Sequence, residues 1–129
     1  MTARPALSKG ELEVARILWG LGKASVREVH DAIPAARQMD FTTVQTYLRR
    51  LETKGYIVGK LEGRTRIYTP KVQARKVIGE TVDDLIERLF GGEALPLMRH
   101  LIEDRGLSDQ DVVELRKLID RLEEGGQKK

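Results

Sequence analysis

A chain of 129 residues with 40% apolar and 33% charged side chains but only 5% aromatics suits one compact domain or a small domain with an added oligomerisation element, its core drawn mainly from Leu, Ile, Val and Ala. Zero cysteines exclude a disulfide framework, a thiolate metal site and a cysteine nucleophile, and His30 and His100 alone do not make a histidine cluster, so neither metal nor cofactor is expected. The net charge of +3 is divided unevenly: residues 1–70 carry twelve Lys and Arg against seven Asp and Glu, residues 71–129 eleven against thirteen.

The first helix signal is Ser8-x-x-Glu11, a capping box in which hydroxyl and carboxylate each satisfy a backbone N–H left free at a helix start. Val14, Ile17, Leu18 and Leu21 then fall on one helical face, and Gly20 and Gly22 stop the run. A second box, Ser25-x-x-Glu28, opens a helix of about ten residues with Val26, Val29 and Ile33 as its buried stripe, and Pro34 turns the chain into a loop. A third helix is expected from an Asp40 N-cap to Gly55, with Phe41, Val44, Leu48 and Leu51 facing the core. Its opposite face presents Thr42, Thr46, Arg49 and Thr53, flanked by Thr43 and Arg50.

Two β-rich runs, 56–61 and 65–69, flank Glu62-Gly63-Arg64 and predict a hairpin with a basic tip. Beyond Pro70 the texture is helical. Ile78, Val82, Leu85 and Leu89 give a narrow seam on a helix over 71–90 that Gly91-Gly92 ends, a shorter helix follows with Pro96 in its first turn and Leu101 and Ile102 apolar, and Ser108 caps a last helix whose seam is Val112, Leu115, Ile119 and Leu122. A frayed tail is expected from Gly125 on.

Three helices and a hairpin, with the third helix polar and basic on its outer face, match the plan of a winged helix-turn-helix. The fold class expected is therefore mainly α: a winged-helix DNA-binding domain over residues 1–70 and a C-terminal helical dimerisation domain over 71–126. The chemistry agrees with the plan. A DNA major groove admits one helix, and near its N-terminus that helix needs short side chains that hydrogen-bond base edges or pack on a thymine methyl; Thr42, Thr43 and Thr46 are of that kind. Arg49 and Arg50, a turn further on, and Lys60, Arg64 and Arg66 in the hairpin are placed for backbone phosphates. The apolar seam beyond residue 71 is either an internal core or, in a chain whose first half already has one, a dimer interface. No nucleophile–base set, motif-bound carboxylate pair or glycine-rich phosphate loop argues for an enzyme. The competing reading is a winged-helix protein-interaction module, in which the cooperation of five cations would have no purpose.

No stretch approaches the roughly 18 uninterrupted apolar residues of a membrane-spanning helix, and residues 1–10 have no apolar signal core, so a soluble, cytoplasmic chain is expected.

Leu12-Glu13-Val14 with Ile17-Leu18-Trp19, then Thr43-Val44-Gln45-Thr46, Arg50-Leu51 with Lys54-Gly55, Glu62-Gly63-Arg64 and Tyr68-Thr69-Pro70 follow one another in an order that resembles the penicillinase repressors, the BlaI/MecI type with their copper-responsive CopY relatives. The resemblance implies a homodimeric transcriptional repressor on inverted-repeat operators, often with TACA and TGTA half-sites. It places Thr42, Thr43 and Thr46 at recognition-helix positions near the bases, although a lysine is common where Thr42 stands. In the antibiotic-responsive members the resemblance also implies release from DNA by a signal-activated protease, commonly cutting between an asparagine and a phenylalanine; here the aligned pair is His100-Leu101, so both residues differ, and the alternative is that Leu101 is a core residue of its helix and the repressor answers another signal. The cysteine cluster of the copper-responsive branch is missing, which argues against thiolate copper sensing.

Overall fold

Both predicted capping boxes form. Ser8 Oγ accepts from the Glu11 N–H at 3.2 Å while Glu11 Oε1 accepts from the Ser8 N–H at 2.9 Å, and Ser25 and Glu28 repeat the exchange at 3.2 and 2.8 Å. They open α1 (Lys9–Leu21) and α2 (Val26–Ala32) in a computed structural model that describes residues 4–125. α2 has 7 residues rather than about ten, because Ile33 is already extended (ψ 129°) ahead of Pro34, and a single 3-10 turn, Ala35–Arg37, follows.

α3 (Phe41–Thr53) buries Val44, Leu48 and Leu51 completely. Phe41, expected beside them, instead stays 39% exposed: in the first turn its ring lies edge-on to His30 of α2, centroids 5.9 Å apart, with the Arg27 guanidinium 5.9 Å above it. The helix stops where glycine predicts. Gly55 takes φ 88°, its N–H reaches Glu52 O, and the Tyr56 N–H reaches Leu51 O at 3.0 Å, the paired bonds of a Schellman ending.

β2 (Ile57–Glu62) and β3 (Thr65–Pro70) form the hairpin, turned by Gly63 at φ 67° and paired Gly59 to Tyr68 and Glu62 to Thr65. A two-residue strand that the sequence pattern does not announce, β1 (Ala24–Ser25), adds to the other side of β3, giving the antiparallel order β1-β3-β2. Tyr56 and Tyr68 are packing residues, each about 5% exposed or less. Trp19, half-buried, donates its indole N–H to Val72 O at 3.0 Å and so ties α1 to the segment after the sheet.

α4 (Ala74–Phe90) starts three residues later than expected: the Lys71 and Val72 N–H groups bond to Tyr56 O at 2.8 and 3.2 Å, and the first α-helical bond is the Val77 N–H to Gln73 O at 3.3 Å. Packing divides the chain inside this helix, between Glu80 and Thr81, into two compact units. The first unit is built on Val14, Leu18, Val29, Val44, Leu48 and Leu51, with Val72 and Val77 at the end of its core. The second holds the rest of α4, then α5 (Leu95–Arg99), which runs on as a π-helical turn (His100–Arg105), and α6 (Asp109–Glu124), capped by Ser108 Oγ on the Asp111 N–H at 3.0 Å. No described residue of this second unit is fully buried. The tail past Gly125 lies outside the described residues.

Candidate nucleic-acid interface

The outer face of α3 carries the side chains that the sequence pattern assigned to it. Thr42, Arg49 and Arg50 are exposed, Thr43 and Thr46 half-buried, and the Arg50 guanidinium lies over the Tyr47 ring, 5.9 Å from its centroid. Lys60, Arg64 and Arg66 are exposed on the hairpin. Seven cations make the stretch 37–66 basic, yet they are not equivalent. Arg37 pairs with Glu13, Lys54 with Glu11 and Arg66 with Glu52, whereas Arg49, Arg50, Lys60 and Arg64 have no ion-pair partner among the described residues. Those four are the cations free to meet a polyanion, and they come from the helix and the hairpin of one unit.

Glu52 joins the two elements. Its Oε2 accepts from Arg66 at 3.0 Å and from the Gly59 N–H at 3.2 Å, which brings the last turn of α3 onto both strands of the wing. Arg66 also stacks over Tyr68, 5.8 Å from the ring centroid, and the hydrogen bond and charge of Glu52 stabilise its protonated form further. Sequence reasoning missed this contact; the residues stand 14 apart and no local pattern links them.

A second missed pair joins the first turn of α1 to the C-cap of α3. Glu11, only 2% exposed, receives Lys54 Nζ, which also donates to Ala6 O at 2.9 Å. Burial alone would raise the Glu11 carboxyl, but the bonds from Lys54 and Ser8 outweigh it and hold the group below its ordinary value. Close by, the Tyr56 hydroxyl donates to Pro5 O at 2.7 Å and Arg4 lies 5.4 Å over the Tyr56 ring, so the segment ahead of α1 is strapped to the end of α3.

In the second unit, the seam residues are uncovered. Val82, Leu85, Leu89, Ile102, Val112, Ile119 and Leu122 are 37–69% exposed, Leu101 and Leu115 are half-buried, and Ile78, just ahead of the division, is 55% exposed. His100 and Leu101 lie where α5 passes into the π-helical turn, with His100 Nδ1 3.0 Å from Asp104 Oδ2. No helix among the described residues is long and apolar enough to cross a membrane.

The family model described as Penicillinase repressor matches residues 7–121. The Transcriptional regulator BlaI of Mycobacterium tuberculosis is 34% identical over 121 residues, covering 90% of this chain and 86% of its own. The Penicillinase repressor of Bacillus licheniformis is 27% identical over 116 residues, with 90% and 91% covered. Among solved structures, the DNA binding domain of the repressor BlaI superposes with a TM-score of 0.50 at 32% identity, covering 57% of this chain and 90% of that one.

Proposed function

The chain belongs to the penicillinase repressor family, and from that premise we propose that it is a cytoplasmic, non-catalytic repressor that binds inverted-repeat DNA operators as a homodimer. The observation that carries this reading is the joint display, on α3 and the hairpin, of four cations without an ion-pair partner among the described residues, Arg49, Arg50, Lys60 and Arg64, together with the outer threonine face of α3. Thr42, Thr43 and Thr46 read base edges in the major groove, while the four cations hold flanking phosphates. Such contacts release counterions, so affinity falls with salt in proportion to their number.

The homodimer is supported by the uncovered seam of Ile78, Val82, Leu85, Leu89, Val112, Ile119 and Leu122, to which Leu101, Ile102 and Leu115 add. A two-fold dimer presents its recognition helices about 34 Å apart, or at a multiple of that distance, to meet successive turns of the same groove. For release, we assign the bond His100–Leu101 to a signal-activated protease. A π-helical turn, a feature frequent at functional sites, begins at that bond.

Selection from a random duplex pool, followed by titration at several salt concentrations, tests the reading. Arg64→Gln should weaken binding to all duplexes alike and flatten the salt slope by roughly one unit per protomer, while Thr46→Val should relax discrimination at particular base pairs. Absence of duplex affinity at low salt refutes the function, and a monomer at micromolar concentration in sedimentation refutes the assembly.

A further inference from the structure

We propose that Glu52 is a positioning residue that fixes the wing against the recognition helix, and that it does so by occupying Arg66, which is thereby withheld from phosphate and serves as a brace. The inference rests on the DNA-binding reading above and refines it: of the three wing cations, Lys60 and Arg64 meet DNA, and Arg66 sets where they point.

The geometry is that of a clamp. One carboxylate oxygen, Glu52 Oε2, on the last turn of α3, takes a backbone N–H of β2 and the guanidinium of β3 together. β2 is an edge strand of the sheet, so an acceptor for its Gly59 N–H has to come from outside the ladder. Gly59 is opposite Tyr68 in the hairpin register, and the Arg66 side chain crosses directly over it. A Cβ at Gly59 would stand 2.7 Å from Arg66 Nε and 2.8 Å from Tyr68 Cε1, closer than real Cβ atoms come, so glycine leaves the room that the arginine and the ring both occupy. Arg66 is thus held at three places: its head by Glu52, its plane by Tyr68 and its stem by the gap at Gly59. Lys60, next to Gly59, and Arg64, two residues before Arg66, project from the strands and turn that the clamp immobilises. A pre-positioned wing loses less freedom on binding, and its cations fall in one register with the helix.

Charge follows the same logic. With Glu52 ionised and in contact, Arg66 adds no net charge at that spot, whereas a released Arg66 would offer a fifth free cation beside the four already counted.

The test compares four full-length proteins, wild type, Glu52→Gln, Arg66→Gln and the double variant, on a mixed-sequence duplex and on a duplex selected by the wild type, with circular dichroism to confirm the fold. Glutamine still offers an oxygen to Gly59 but removes the charge that retains Arg66. Glu52→Gln should therefore steepen the salt slope on mixed-sequence DNA by roughly one unit per protomer. Arg66→Gln should leave the wild-type slope unchanged, and the double variant should lose the steepening. A general electrostatic effect of removing one acid would steepen the slope equally with and without Arg66, and that result overturns the proposal, as does a flatter slope in Arg66→Gln alone. Glu52→Gln and Glu52→Ala both release Arg66, and Arg66→Gln removes it, so each of the three should lower the preference for selected over mixed duplex at least tenfold; a wild-type preference in any of them also overturns it. If the wild type binds neither duplex, the DNA-binding reading itself fails.

Discussion

The buried pair Glu11–Lys54 makes an unequal prediction about its two members. Glu11 is 2% exposed, and without Lys54 its carboxylate would keep only the Ser8 N–H at 2.9 Å and the Ser8 hydroxyl as nearby partners. Lys54 is different: its side chain is 25% exposed and holds Ala6 O at 2.9 Å, so the ammonium can rehydrate where it stands. Breaking a buried pair from one side costs about 3–5 kcal/mol when the remaining charge is stranded. Lys54→Met strands Glu11 and should therefore cost about 3 kcal/mol at pH 7. Glu11→Gln strands nothing and keeps a neutral acceptor, so about 1.5 kcal/mol is expected, the lower end of what a charged hydrogen bond contributes. The pH dependence follows from the sign of each shift. In the wild type the folded Glu11 lies below its ordinary value of 4.5, so its contribution is complete above that value and is lost as pH falls through the lower folded one. In Lys54→Met only the Ser8 bonds still oppose burial, so the group lies above its wild-type folded position and the gap between variant and wild type narrows as pH falls through the carboxylate range. Urea unfolding of both full-length variants at fixed protein concentration measures all of this. A smaller loss for Lys54→Met than for Glu11→Gln, or a gap from wild type that does not narrow on acidification, refutes the reasoning.

Trp19→Phe leaves Val72 O without its indole donor and should cost about 1 kcal/mol or slightly more, read by circular dichroism because Trp19 is the one tryptophan of the chain. Gly10→Ala places a methyl into the Tyr47 ring, where α1 and α3 approach; a loss of about 1–3 kcal/mol is expected, together with weaker operator binding as the ring under Arg50 is displaced. A specific protease site engineered at His100–Leu101 should, once cut, abolish joint binding to paired half-sites while single half-site affinity persists; unchanged operator affinity would show α6 to be dispensable.

What is legible in the sequence is what short-range physics decides. Ser8 with Glu11 and Ser25 with Glu28 act across one helical turn, Gly55 and Gly63 adopt the positive φ for which glycine is suited, and Val44, Leu48 and Leu51 keep one helical period, so local pattern alone is enough to place α1, α3 and the hairpin. The threonine and arginine face of α3 comes with them, being the complement of that period. The failures are tertiary. β1 is two residues long and exists because β3 has a free edge, which no alternation in Ala24-Ser25 could announce. Phe41 has the right angle for the core but sits one turn before the helix enters it, against His30. Glu11 with Lys54 and Glu52 with Arg66 are joined across 43 and 14 positions, so the local charge count overstates the basic surface by including cations already matched inside the fold.

The second unit poses the opposite problem, a clear pattern without a visible purpose in one chain. α6 has 16 residues, and the part of α4 beyond Glu80 is shorter still; isolated helices of such lengths are marginal in water and depend on covering an apolar face. In one chain that face is not covered, since Leu89 and Leu122 remain 69% and 68% exposed and no described residue of the unit is fully buried. Under the proposed dimer the same surface on a second copy supplies the missing cover, as a two-fold axis requires. Folding of the unit and association then become one equilibrium, set by protomer concentration. An operator bound by the proposed dimer would experience that equilibrium directly, because two half-site contacts joined in one dimer bind as a unit and two detached ones do not. In that proposed dimer a cut between His100 and Leu101 would detach α6, with Leu115 and Ile119, from α4 and so remove cover and linkage in a single event. Under the proposed dimer, the absence of fully buried residues among those described in the second unit is what would make one peptide bond sufficient for release.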